Sequence, residues 1–173
     1  MANLTYFGES SNTRIETMVG FGYDVHRLAP GETLILGGIA IPSDVGTVAH
    51  SDGDVLLHAV VDAILGAAAM GDIGEHFPDT DPRWKGAASG QFVEHAVRMI
   101  LEAGFRLVNL DATLVLERPK ILPYKQAMRE RMAELCGIPV ERVSLKATTS
   151  ERVGFVGRLE GVQAYCICEL QQR

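Results

Sequence analysis

The first alternating run, MVGFGYDVHRL at residues 18–28, reads as a strand in which successive side chains change face. Leu34-Ile35-Leu36, Gly37-Gly38 and Ile39-Ala40-Ile41 read as a hairpin, because two glycines supply the positive φ angles of a tight turn; Pro42 ends it. In SDGDVLLHAVVDAILGAAAMG, residues 51–71, Val55, Leu56, Val60, Ile64 and Ala67 fall at helical spacing. Ser51 or Asp52 is the expected cap and Gly71 the expected stop. Residues 71–90 are polar, carry Gly and Pro, and have no period, so they read as one long loop of the kind that is usually functional or disordered. A second helix at about Gln91–Ala103 turns Phe92, Val93, Ala96, Val97 and Ile100 to a core. Leu107–Glu117 alternates as a strand, Tyr124–Cys136 forms a third helix stopped by Gly137, and Val143–Ala147 and Val162–Leu170 are the last strands. Without repeats or linkers, the expectation is one α+β domain over 18–173, a two-layer sandwich with helices on one face of a mixed sheet. Residues 1–17 read as a poorly ordered extension, with neither a signal-peptide core nor arginine-rich transit character.

Composition narrows the function classes. At 173 residues and 47% hydrophobic, the chain can bury the core of a single domain. Its net charge of −6 argues against general attraction to nucleic acid or anionic lipid. A polyanionic ligand would have to be held by local devices: cations, amides and hydroxyls. Cys136, Cys166 and Cys168 are odd in number, lack CxxC spacing and sit among apolar residues, as buried reduced thiols of a cytosolic protein do. No apolar run reaches the length of about 18 residues that a membrane span needs.

Candidate chemistry starts with Asp24 and His26, which share a face if their run is a strand. They are either two ligands for one cation or part of a surface turn. His58 is the natural third ligand, on a helical stripe with Asp54 and Asp62 at i−4 and i+4. It is either an ordinary core histidine or a metal ligand whose second N–H one of those carboxylates accepts. An Asp/His/His set leaves one tetrahedral position open, as in catalytic zinc sites. The rival is the facial triad of ferrous iron oxygenases, normally presented by a strand-rich barrel rather than a helix. Two segments suit phosphate. In AHSDGD, residues 49–54, His50 and Ser51 lie where a helix start would favour an anion, unless Ser51 is simply its cap. In KATTSERVGF, residues 146–155, Thr148, Thr149 and Ser150 offer donors beside Lys146, and Glu151 could hold Mg²⁺; a plain capping motif is the alternative. ERPKILPY, residues 117–124, puts Lys120 in a proline-bracketed loop able to hydrogen-bond a planar ligand.

Taken together, YDVHR, LILGGIAIP, AHSDGDVLLHAVVDAILGAAAMGDIGEHFPDTDP, ERPKILP and KATTSERVGFVGRLEG resemble the 2-C-methyl-D-erythritol 2,4-cyclodiphosphate synthase family, in family order from about Met18 to the C-terminus. The resemblance implies a cytoplasmic lyase of the non-mevalonate isoprenoid pathway. It would convert 4-diphosphocytidyl-2-C-methyl-D-erythritol 2-phosphate to the cyclic diphosphate and CMP. It further implies one Zn²⁺ per site on Asp24, His26 and His58, and a second cation, Mg²⁺ or Mn²⁺, on Glu151. His50 and Thr149 would stabilise the transition state, with Ser51 beside the diphosphate and Asp24, Val25 and His26 bordering the substrate. Asp72, Ile73 and Gly74, with Phe77, Pro78, Asp79, Thr80 and Asp81, would hold the methylerythritol hydroxyls. Leu116, Glu117, Arg118, Pro119, Lys120, Ile121 and Leu122, with Thr148 and Ser150, match the nucleotide-binding segments, where base recognition at Glu117-Arg118 would use backbone groups. Phe155 and Arg158 would line the interior near a subunit junction of a homotrimer whose active sites lie between chains. The absence of a nucleotidyltransferase domain before Met18 suggests the single-activity form. The competing function is a non-catalytic nucleotide- and metal-binding regulatory module, which would not need an open metal position.

Overall fold

In a computed structural model, residues 17–173 are described; the expected extension lies outside them except for Thr17. The longest strand, β1 (Thr17–Pro30), alternates strictly: even-numbered positions from Gly20 to His26 face inward, and Val19, Phe21, Tyr23 and Val25 face outward. The hairpin strands β2 (Leu34–Leu36) and β3 (Ile39–Ile41) form a small separate sheet, turned at Gly37 and Gly38 with φ of 60° and 76°. Next come β4 (Val45–Val48), β5 (Phe105–Val115), β6 (Val143–Thr148) and β7 (Gly161–Gln172). The main sheet runs β4-β1-β7-β5-β6; only the β5–β6 pair is parallel, so the sheet is mixed, as expected.

The helices are α1 (Val55–Ala67), α2 (Ile73–His76), α3 (Gly90–Glu102), α4 (Lys125–Cys136) and α5 (Gly154–Gly157). Helix α1 packs on β1 and β7, with α3 and the β2–β3 hairpin around its other sides. All its residues but Asp62 and Gly66 are buried, as befits a helix covered all round. Its fit against β1 depends on two missing side chains. A Cβ at Gly20 would lie 1.9 Å from the Ala63 carbonyl oxygen, and one at Gly22 would lie 2.0 Å from that of Ala59. Glycine at both positions lets backbone meet backbone, and this brings α1 onto the strand that carries Asp24 and His26.

Several local expectations change. Neither Ser51 nor Asp52 caps α1: Asp54 does, accepting the Leu57 N–H at 3.0 Å, while the helix ends at Ala68 rather than Gly71. The short β4, on the edge beside β1, has no counterpart in the sequence reading. The 71–90 stretch is not a bare loop. It contains α2, capped by Asp72, and a 3₁₀ turn at Pro82–Trp84, capped by Asp81.

Gly22→Ala is expected to cost about 3 kcal/mol or more, at the upper end for overpacking, because the obstacle is a backbone carbonyl that cannot rotate away. Chemical denaturation checks this: an unchanged midpoint would mean that α1 is not held against β1 in this way.

Candidate metal centre and adjoining clefts

Alternation on β1 sends the side chains of Asp24 and His26 to the same inward side, opposite Ala164 and Val162 of β7, which are small enough to leave them room. His58 comes down from α1 to meet them. Asp24 Oδ2 lies 2.9 Å from His58 Nδ1 and 3.1 Å from His26 Nε2, and the two ring nitrogens are 3.0 Å apart. Three donor atoms thus form a triangle with near-equal edges. A tetrahedral cation bound at about 2.0–2.1 Å would set its ligands roughly 3.3 Å apart, so the triangle needs to open by only a few tenths of an ångström to accept one. Its fourth position would face the cleft. Burial pushes the Asp24 carboxyl up, but the bonds and charges of His26 and His58 outweigh burial and hold it well below the usual carboxylate range. Among the described residues these are the only three His, Cys, Asp or Glu side chains grouped closely enough to share an ion.

The triangle forms one wall of a cleft of about 470 Å³ that His50, Ser51, Ile73, Gly74, Phe77, Pro78 and Asp79 also line. The anion-favouring helix start expected near His50 is not free. Asp54 puts its own carboxylate there, so an anion in the cleft meets the His50 and Ser51 side chains instead. A second cleft, about 290 Å³, is lined by Leu116, Glu117, Pro119, Lys120, Ile121, Leu122, Thr148 and Thr149. The two clefts share no residue.

Other candidates lie outside both clefts. Val25 points to the opposite face of β1; Thr80 and Asp81 lie beyond the cleft wall, with Asp81 engaged by Arg83; Asp72 is spent on capping α2. Arg118 pairs with Asp44, and Arg158 with Glu160. Phe155 and Glu151 are exposed, and Glu151 accepts from Thr149 Oγ1 at 3.2 Å. Glu117 was expected to present backbone, but its side chain is engaged: Oε1 accepts the N–H groups of Ser150 and Arg152 and the Ser150 hydroxyl. That bridge ties the 117–122 segment to the loop bearing Thr149 and Glu151, where Glu151 and Arg152 both adopt left-handed φ angles of 53° and 62°. Cys136, Cys166 and Cys168 are buried and unpaired, and burial pushes Cys136 and Cys168 up to about 12, so neither offers a thiolate nucleophile.

The model of the YgbB family matches residues 17–171. The chain belongs to the YgbB family. It is 56% identical over 156 residues to 2-C-methyl-D-erythritol 2,4-cyclodiphosphate synthase of Symbiobacterium thermophilum, covering 90% of this chain and 99% of that one. It is 57% identical to the bifunctional enzyme IspD/IspF of Caulobacter vibrioides, of which it spans only 41%. Among solved structures, the bifunctional IspDF from Campylobacter jejuni superposes with a TM-score of 0.89 at 42% identity, over 92% of this chain and 43% of that one. A CDP-bound 2C-methyl-D-erythritol-2,4-cyclodiphosphate synthase gives 0.82 at 42% identity, over 88% of this chain and 99% of that one.

In this YgbB chain, two carboxylates expected beside His58 serve elsewhere. Asp54 is fully buried and accepts Gly37 N–H at 2.9 Å and Gly38 N–H at 2.6 Å, joining the hairpin turn to α1; burial raises it to about 6 despite those bonds. Asp62 accepts the Ile73 N–H at 2.8 Å and so fixes the start of α2. The second nitrogen of His58 meets Ser89 Oγ at 2.8 Å, a residue the sequence reading passed over inside the aperiodic stretch. Trp84 and Phe92 were also passed over as cleft residues. They and Phe77 form an aromatic cluster, with Phe77 and Phe92 stacked at 4.5 Å and Trp84 edge-on to both.

His58→Ala is expected to lose stoichiometric zinc binding while keeping the parent's circular dichroism. Retention of one tightly bound zinc per chain would remove His58 from the metal site.

Proposed function

We propose that this chain is a 2-C-methyl-D-erythritol 2,4-cyclodiphosphate synthase that forms the cyclic diphosphate and CMP from 4-diphosphocytidyl-2-C-methyl-D-erythritol 2-phosphate. The observation that carries the reading is the Asp24–His26–His58 triangle opening onto a cleft edged by His50 and Ser51, in a chain of this family. In the reaction a 2-phosphate oxygen bonds to the β-phosphorus of the same molecule, and the bond from that phosphorus to CMP breaks. No protein nucleophile is needed. The chief obstacle is repulsion between two anions, and a divalent cation at the triangle, Zn²⁺ in this reading, supplies Lewis-acid neutralisation of the diphosphate when bound.

The chain's own side chains do the rest. His50 and Ser51 bind phosphate oxygens, and Asp79 takes methylerythritol hydroxyls. Leu116–Leu122 with Thr148 hold the cytidine, and Thr149 stabilises charge developing in the transition state. Glu151 is the ligand for a second cation, Mg²⁺ or Mn²⁺, which suits its exposed carboxylate because Mg²⁺ typically keeps several waters and few protein ligands. Alignment of attacking and leaving groups can supply about 7–11 kcal/mol if it reaches that of good intramolecular models.

The metal cleft and the cleft proposed for cytidine share no residue, and a neighbouring chain that sets one beside the other would let both hold a single substrate. This supports a homotrimer with sites between subunits. So does the outward face of β1 and β7, where Val19, Phe21 and Ile167 are each at least half exposed and the tilted rings of Tyr23 and Tyr165 lie 5.1 Å apart. A contiguous apolar patch of this kind marks an interface. Among the described residues no helix is long and apolar enough to cross a membrane, and three buried thiols support the cytoplasm as the working compartment.

Incubation with the diphosphocytidyl substrate and Mg²⁺ or Mn²⁺ is expected to release CMP in step with the cyclic diphosphate, and Asp79→Ala to lower kcat/KM. Tight binding of CMP without turnover would instead support the regulatory module.

A further inference from the structure

His58 has two ring nitrogens with different tasks. Nδ1 belongs to the donor triangle, and Nε2 lies 2.8 Å from Ser89 Oγ and 3.2 Å from Ser51 Oγ. Ser89 is fully buried. Its hydroxyl has one proton, and that proton is committed: Oγ donates to Asp52 Oδ1, while the Ser89 N–H donates to Asp52 Oδ2 at 2.9 Å. An ionised carboxylate accepts and cannot donate, so the Ser89 hydroxyl can present only a lone pair to His58. The facing nitrogen must then carry the ring hydrogen.

We infer that Asp52 and Ser89 are positioning residues for the metal centre: through the chain Asp52–Ser89–His58 they place the ring hydrogen on Nε2 and leave the Nδ1 lone pair bare for the cation. The inference rests on the metal reading of the triangle and extends it to two residues outside it. With the hydrogen on Nε2, Nδ1 turns its lone pair into the triangle, 2.9 Å from Asp24 Oδ2 and open to a cation. Asp52 also anchors its surroundings: its carboxylate accepts the Asp54 N–H at 3.2 Å, and its backbone N–H donates to Ala87 O at 3.0 Å. Asp52 thus also serves the local backbone, a role that leaves the position of the His58 ring hydrogen unchanged.

Asp52→Asn separates the two roles. With its oxygen kept on the Ser89 N–H, its amide turns a donor toward Ser89 Oγ. The hydroxyl then donates to His58 Nε2, and the ring hydrogen moves to Nδ1, where it obstructs the cation. Ser89→Ala removes the lone pair without reversing it. Nitrogen-15 NMR of the metal-free protein reads the ring hydrogen directly; chelator competition reads zinc affinity. The parent is expected to carry its His58 hydrogen on Nε2 and Asp52→Asn to show it on Nδ1. Both variants are expected to bind zinc about 10–100-fold more weakly, the usual effect of losing a partner behind a metal-bound histidine. A hydrogen on Nδ1 in the metal-free parent, an unchanged ring in Asp52→Asn, or parent-like zinc affinity in both variants would overturn the inference while leaving the metal reading intact. A parent that binds no zinc at all would overturn both.

Discussion

The contact on which the site depends is that between the backbone of β1 at Gly20 and Gly22 and the backbone of α1 at Ala59 and Ala63. Strand and helix normally stand apart by the depth of their side chains. Here two glycines remove that depth on the strand, and two alanines keep it small on the helix. The chain continues from this contact to Asp24 and His26, two and four residues beyond Gly22, while His58 precedes Ala59 by one. Nothing flexible intervenes, so the triangle inherits the rigidity of the packing beneath it. A constellation held to within tenths of an ångström is best built on such elements rather than on loops.

The rest of the site hangs from the same helix. Asp54 at its first turn ties it to the β2–β3 hairpin, Asp62 on the next turns fixes α2, and the residues just before it reach across to Ser89 and Ala87. An apolar helix thus commits its few polar side chains to the segments packed around it. The acidic net charge is compatible with the proposed function: with no Lys or Arg lining the metal cleft, attraction for a polyanion would rest on a bound cation and a handful of hydroxyl and imidazole groups.

What could be read from the chain alone was whatever has a local period. Alternation in FGYDVHRL placed Asp24 and His26 on one side of a strand, and the spacing of VLLHAVVDAIL put His58 on a helix; both readings match the structure. The stripe Asp54–His58–Asp62 was seen, but spacing along a helix shows which side chains neighbour each other and not what each faces. Both carboxylates turned to backbone N–H groups of other segments, which no periodicity encodes. Ser89 was invisible for a related reason: it reaches His58 across 31 positions, from a stretch whose order comes from caps, aromatic stacking and hydrogen bonds to segments distant in sequence. The four residues of β4, VGTV, are too short to alternate convincingly. That the two clefts share no residue was likewise not legible, because motif order does not say which segments line one cavity.

The central claim is that Asp24, His26 and His58 hold one divalent cation with a position left open. Anomalous diffraction at the zinc edge from crystals of the zinc-loaded protein tests it most directly. The account requires one peak per chain, about 2.0–2.1 Å from Asp24 Oδ2, His26 Nε2 and His58 Nδ1, with a fourth ligand from solvent or substrate. A peak elsewhere, or a triangle that stays closed with no metal inside it, would contradict it.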